Sequence, residues 1–169
     1  LDADALNIMA ATQTQLPETK TPRVITPHPG EMARLLEART EDIQRHRLQV
    51  GRVAADRFQA VVVLKGARTV VADPAGDVFL VPTGNPAMAT GGMGDVLTGA
   101  IAALIGQGLM PLAAAYAGAY LHGLAGDLVA AEHGPAGILA RQVADALPRA
   151  LAAVRAGSVD ELVAPLESA

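Results

Sequence analysis

Ala60-Val61-Val62-Val63-Leu64 is an unbroken apolar run, rich in β-branched residues and closed by Lys65 and Gly66. A run without polar alternation suits a strand covered on both faces, as in parallel sheets flanked by helices. Upstream, Arg23-Val24-Ile25-Thr26 has the same character over a shorter span, and Pro27, Pro29 and Gly30 break it before the helical stretch 31–38, EMARLLEA. Between the two strands, Thr40 precedes residues 41–58, where Ile43, Leu48, Val53 and Ala54 recur at roughly helical spacing and acids occupy the first turn. That pattern predicts one N-capped helix lying over the sheet. Downstream, TVVAD (69–73) and GDVFLVP (76–82) flank Asp73-Pro74-Ala75-Gly76-Asp77, the turn chemistry of a hairpin. Long helices follow at about 92–105, 111–131 and 138–154. A short helix at 4–11 leads into a polar loop through Thr21, and the tail from Gly157 reads as frayed. Strands alternating with helices, with no internal repeat or low-complexity linker, predict one α/β layered domain over residues 1–169 with a mostly parallel sheet.

The composition narrows what such a domain does. Of 169 residues, 13 are Lys or Arg and 17 are Asp or Glu, a net charge of −4, so there is no basic footprint for nucleic acid. The absence of cysteine rules out disulfides, thiolate metal sites and a thiol nucleophile, and makes a cytoplasmic location the default expectation. With two Tyr, two Phe and no Trp the core must be aliphatic, and 35 Ala predict closely approaching helices. Residues 96–126 carry no Asp, Glu, Lys or Arg, but the segment 106–111 splits them into pieces shorter than the roughly 20 residues that cross a bilayer, so no membrane partner is expected. The opening LDADALN has no basic region ahead of an apolar run, and Leu1 reads as the end of a strand. The chain is therefore expected to be the C-terminal part of a longer domain whose N-terminal strands are missing.

The chemistry concentrates in GNPAMATGGMGD, residues 84–95. Gly91, Gly92 and Gly94 stand immediately before an apolar helical run, so bare backbone N–H groups face outward at the positive end of a helix, a place for phosphate. The spacing matches neither the Walker pattern nor G-x-G-x-x-G. A carboxylate beside phosphate is repelled unless it has a task, and Asp95 is placed to accept a proton from an attacking hydroxyl. An acid here also serves as an ordinary complement to the helix dipole; the preceding glycines favour the catalytic reading.

GNPAMATGGMGD resembles the nucleotide-phosphate loop of the ribokinase-like superfamily. Together with DADALN (2–7), TPHPGE (26–31), LKGART (64–69) and HGLAGD (122–127), it is similar to the ADP-dependent NAD(P)H-hydrate dehydratases over Leu1 to about Arg155. Ala87, Gly91 and Met93 stand where the family more often has Gly, Ala and Thr, and none of these departures removes a charged group. The resemblance implies a three-layer α/β/α sandwich and a hydro-lyase that repairs nicotinamide nucleotides, returning hydrated NADH or NADPH to the normal cofactor while ADP, or ATP, is split. Hydroxide leaves poorly at neutral pH, whereas a phosphorylated hydroxyl leaves readily when an adjacent ring nitrogen pushes electrons outward.

By the same resemblance, Asp95 takes the proton from the hydrate hydroxyl as it attacks the terminal phosphate, and the amides of Gly91, Gly92 and Gly94 stabilise the developing charge. His28 contacts the hydrate. Lys65, Gly66, Ala67, Arg68 and Thr69 hold the AMP portion. Glu31 organises Mg²⁺ through water, with a helix-start acid as the plain alternative. Lys65 also has the plain reading of a strand-end lysine reaching water, and Arg68 that of a hairpin-surface charge. Asp2, Asp4 and Asn7 line the same cleft or cap the first helix, with neither reading preferred. His122 reads as a core histidine bonded to backbone, whereas Asp73, Asp77, His46 and His133 read as solvent-facing; no zinc site is expected. A homo-oligomer and a linked NAD(P)H-hydrate epimerase domain are further expectations. The competing readings are a small-molecule kinase of the same superfamily, acting on a vitamin alcohol, and a silent nucleotide-binding fragment.

Overall fold

The computed structural model describes residues 1–13 and 21–159; most of the loop expected up to Thr21, and the tail from residue 160, lie outside them. Helix α1 (Asp4–Thr12) leads to strand β1 (Val24–Ile25), then come helices α2 (Pro29–Leu36), α3 (Thr40–Arg45) and α4 (Arg47–Phe58). Strands β2 (Val61–Leu64), β3 (Val70–Ala72) and β4 (Val78–Leu80) follow, then a single 3₁₀ turn at Pro86–Met88 and helices α5 (Met93–Gly106), α6 (Pro111–His133) and α7 (Ala140–Ala156).

The sheet has the order β1-β2-β3-β4. β1 and β2 are parallel, with Val24 opposite Val61 and Ile25 opposite Val62. Both remaining pairs are antiparallel, because β2, β3 and β4 are joined by short turns that reverse the chain. The expected mostly parallel sheet is thus corrected to a partly parallel one. Leu1 continues the ladder beyond β1: its amino group donates to the Val24 carbonyl at 2.7 Å, and its own carbonyl accepts from the Thr26 amide at 3.1 Å.

Alternation along β2 builds the three layers. Val62 and Leu64 face a core formed with Leu6, Met32, Leu35, Ile43 and Ala54 from the first four helices. Val61 and Val63 face the opposite way, onto Leu97, Ile101, Ala115 and Ala119 of α5 and α6. All four β2 side chains are buried, as the apolar run at 60–64 predicts. α7 closes the second face with Val143 and Ala150 against Leu124 and Leu128 of α6. No helix among the described residues is long and apolar enough to cross a membrane.

The single helix expected over 41–58 is broken at His46, whose φ of −122° and ψ of 34° lie outside the helical region, and Thr40 is a first-turn residue of α3, not its cap. The break has a tertiary cause. The Arg47 guanidinium opens α4 and donates to the Leu64 carbonyl at 2.9 Å and the Lys65 carbonyl at 3.3 Å, which anchors that helix start to the end of β2.

Candidate functional site

β1 and β2 run parallel, so their carboxyl ends lie side by side, the position where open α/β sheets form a ligand crevice. Three segments converge there. The first is the turn after β1, where His28 caps α2: its Nδ1 accepts from the Gly30 and Glu31 amides at 3.0 and 3.2 Å. Glu31 reciprocates, its Oε2 accepting from the His28 amide at 2.7 Å, so the two residues close a capping box. Because Nδ1 accepts, a neutral His28 ring carries its hydrogen on Nε2. The His28 side chain is 50% exposed, whereas that of Glu31 is only 5% exposed.

The second segment follows β2. The Lys65 amide donates to the Pro27 carbonyl at 2.9 Å, joining the two strand ends. The Lys65 side chain does not run out into water: its ammonium, 19% exposed, donates to Asp2 Oδ1 at 2.6 Å and lies 3.8 Å from Glu31 Oε2. The Thr98 hydroxyl of α5 donates to Asp2 Oδ2 at 3.0 Å and sits 3.3 Å from the Thr26 hydroxyl. Burial pushes the Asp2 carboxyl up, but hydrogen bonding to Lys65, the Lys65 charge and the Thr26 and Thr98 hydroxyls together hold it below its ordinary value. Gly66, Ala67 and Arg68 are exposed, and the Thr69 hydroxyl donates back to the Gly66 carbonyl at 3.1 Å to close the turn.

The third segment is the glycine turn into α5. No side chain caps this helix; Gly92 occupies the cap position with φ of +85°, and a Cβ there would come within 3.1 Å of the Ala140 Cβ. Gly91 has open space where a side chain would be. Gly94 packs onto the second segment, since a Cβ on it would lie 3.2 Å from Lys65 Nζ and 3.4 Å from Asp2 Oδ2. Asp95 is exposed in the first turn of α5.

The loop ahead of the glycines is clamped from below. Asp127 of α6 accepts from the Gly84 amide at 2.9 Å and from the Asn85 side-chain amide at 2.8 Å. A Cβ at Gly123 would run into Thr83, and one at Gly126 into Met88, so the two glycines of HGLAGD let that loop lie directly on the helix. Beside them His122 is 9% exposed, and its Nε2 has no partner among the described residues. Burial pushes this histidine down to about 4, against a hydrogen bond with the Met93 backbone at the start of α5 that works the other way. The expectation of a core histidine bonded to backbone therefore holds.

The structure thus brings His28, Glu31, Lys65 and Gly94 together at one edge, with Gly92 and Asp95 flanking Gly94 in the chain. Asp2 joins them, as the cleft-lining reading of DADALN has it, and so does Thr98, which the sequence analysis did not single out although it lies one helical turn beyond Gly94, a spacing that does signal a shared face. Asn7 is drawn elsewhere, accepting from Arg34 at 3.0 Å. Mg²⁺ keeps most of its waters and is held by one or two carboxylates plus substrate phosphates, so a water-mediated role fits Glu31 at this edge, where Oε2 is engaged by the His28 amide and lies 3.8 Å from the Lys65 ammonium. Glu31 also fills the helix-start role, through its capping bond to the His28 amide.

Comparison with known proteins shows the family. The bifunctional NAD(P)H-hydrate repair enzyme Nnr of Moorella thermoacetica is 54% identical over 151 residues, covering 89% of this chain and 28% of that protein. The ADP-dependent (S)-NAD(P)H-hydrate dehydratase of Bacillus subtilis is 40% identical over 149 residues, covering 88% of this chain and 52% of that one. A crystal structure of the ADP/ATP-dependent NAD(P)H-hydrate dehydratase from Bacillus subtilis, co-crystallised with ATP/Mg²⁺, superposes with a TM-score of 0.83 at 39% identity over 89% of this chain and 53% of that one. The chain thus spans about half the length of these dehydratases and less than a third of the bifunctional enzyme. The family model described as NAD(P)H-hydrate dehydratase matches residues 1–149, nearly the whole of the described chain, and the chain belongs to that ribokinase-like family.

Proposed function

We propose that the protein to which this chain belongs dehydrates hydrated NADH or NADPH at the expense of ADP, releasing AMP and phosphate. The observation that carries the reading is the uncapped, glycine-led N-terminus of α5, with Asp95 exposed beside it and the His28 and Lys65 turns at the same sheet edge. The amides of Gly91, Gly92 and Gly94 receive the terminal phosphate of ADP, where the helix dipole favours its charge. Asp95 accepts the proton of the hydrate hydroxyl as that oxygen attacks the phosphorus and the bond to AMP breaks. The phosphorylated oxygen then departs as phosphate when the ring nitrogen supplies its electron pair to the carbon, and loss of a proton from the adjacent ring carbon to solvent restores the ring double bond. His28, whose half-exposed ring places Nε2 3.6 Å from Glu31 Oε1, orients the hydrate, and residues 65–69 hold the AMP portion. Lys65 contributes chiefly by tying Asp2 and the strand end to the first turn of α5. Mg²⁺ bound with the nucleotide would neutralise charge on its phosphates, with Glu31 holding it through water.

The similarity to proteins named for this activity supports the reading, as does an ATP/Mg²⁺ complex of one of them. The proposal extends to a homo-oligomer, read by light scattering, and to a linked epimerase domain in the longer protein. Incubating the full chain with hydrated NADH and ADP tests the activity, since the dihydronicotinamide ring absorbs near 340 nm. Recovery of that absorbance with stoichiometric AMP is expected. Phosphorylation of an added vitamin alcohol without recovery would move the protein to the kinases, and ADP binding without turnover would leave a silent binding domain.

A further inference from the structure

Arg47 has none of the roles above, yet its guanidinium donates to the last two carbonyls of the strand end, those of Leu64 and Lys65, where β2 passes into the 65–69 loop. Its Nη2 donates to the Leu64 carbonyl at 2.9 Å and to the Lys65 carbonyl at 3.3 Å, its Nη1 also reaches the Lys65 carbonyl at 3.3 Å, and Gln44 accepts from Nη1 at 3.1 Å. Gly66 packs flat against it: with φ of +138°, a Cβ at Gly66 would lie 3.0 to 3.4 Å from the guanidinium atoms. A planar fork matches two adjacent carbonyls in a way that a single ammonium does not.

The trans peptide converts this grip into a direction. In a planar trans unit the C=O and the following N–H point opposite ways, so holding the Leu64 and Lys65 carbonyls on one side turns the Lys65 and Gly66 amides to the other. The Lys65 amide meets the Pro27 carbonyl there, while no protein acceptor among the described residues takes the Gly66 amide. Ala67 and Arg68 border an open cleft of about 430 Å³ that Arg47 itself lines together with Gln44, Leu48 and Leu80, so on this side the Arg47 bonds rather than close packing hold the loop.

We propose that Arg47 is a positioning residue for nucleotide binding: by gripping the Leu64 and Lys65 carbonyls it aims the Gly66 amide into the site and sets the path of the 65–69 loop. The inference rests on assigning that loop to the nucleotide. Arg47 is the first residue of α4, directly after the break at His46.

The test measures ADP affinity by calorimetry, kcat with hydrated NADH, and amide hydrogen exchange of residues 65–69 in Arg47→Ala, Arg47→Lys and Ala67→Trp. Arg47→Ala is expected to weaken ADP binding about tenfold, the scale of losing charge-assisted bonds, with kcat at saturating ADP within about twofold and faster exchange in the loop. Arg47→Lys, which keeps the charge and one bond, recovers part of the affinity. If Arg47→Ala does not fold, Arg47→Lys carries the test, with an expected loss of about threefold or more. Unchanged ADP affinity in a folded Arg47 variant, or a lower kcat with affinity intact, overturns the proposal. Unchanged affinity in Ala67→Trp overturns it together with the loop assignment, whereas failed dehydration with normal ADP binding overturns the activity and leaves the Arg47 readout standing.

Discussion

Helices α2 and α5 both begin at the same sheet edge, and their first turns are built in opposite ways. At α2 every accessible device is used: Pro29 at the first position removes one donor, His28 takes two amides and Glu31 takes a third. At α5 there is no side-chain cap, a left-handed glycine occupies the cap position, and the residue before it has no side chain at all. A helix start leaves four N–H groups without intrahelical partners, so a first turn is either closed by its own residues or left for a ligand. α2 is closed and α5 is open. The contrast is the basis for proposing the anion site at Gly92 and Gly94 and for leaving His28, for all its place in the crevice, outside it.

The comparison can be broken most forcefully at Asp95. Asp95→Asn keeps the open turn but removes the base, and is expected to lower turnover by a factor of roughly 10² to 10⁴ while ADP affinity holds; an unchanged rate would remove Asp95 from its role. A second handle lies beneath the same turn, at buried His122. Its folded value lies near 4, below the ordinary 6.5, so the unfolded chain takes up a proton over that window and the folded one does not. Stability is therefore full above about pH 6.5 and declines towards pH 4 by about 3 kcal/mol, a slope that calorimetric melting should find flattened in His122→Gln.

Smaller effects sharpen the contrast from each side. Gly92→Ala places a Cβ at φ of +85° against Ala140 and is expected to cost about 1–2 kcal/mol of stability together with most of the ADP affinity. His28→Ala uncaps α2, which should lower stability by about 1 kcal/mol and raise KM for the hydrate, with ADP affinity retained. If the two substitutions exchanged effects, with His28→Ala releasing ADP and Gly92→Ala leaving it bound, the open turn would be the wrong one.

Much of this was legible in the residues. The apolar run at 60–64 specifies a doubly buried strand, the Asp-Pro-Ala-Gly-Asp turn specifies the hairpin of β3 and β4, and the glycines before Asp95 mark the open helix start. What escaped was set by contacts distant in sequence. Lys65 meets Asp2 across 63 residues, and nothing local distinguishes a lysine that reaches water from one that is paired. The break at His46 carries no Gly or Pro; it follows from carbonyls that only the folded sheet presents to Arg47. His28 as a cap lies outside the usual Ser, Thr, Asp and Asn vocabulary, so its structural role stayed hidden behind its place in TPHPGE. The mixed sheet follows from the same hairpin that the turn residues announce, and only the parallel character of β2 argued otherwise.

The most direct test of the open-turn account is a titration of the uniformly ¹⁵N-labelled protein with ADP, following backbone amide resonances at both helix starts. The account predicts that the Gly91, Gly92 and Gly94 signals shift with saturable dependence on ADP while those of Gly30 and Glu31 stay in place. Shifts confined to Gly30 and Glu31, or none at the glycine turn when ADP is bound, would contradict it.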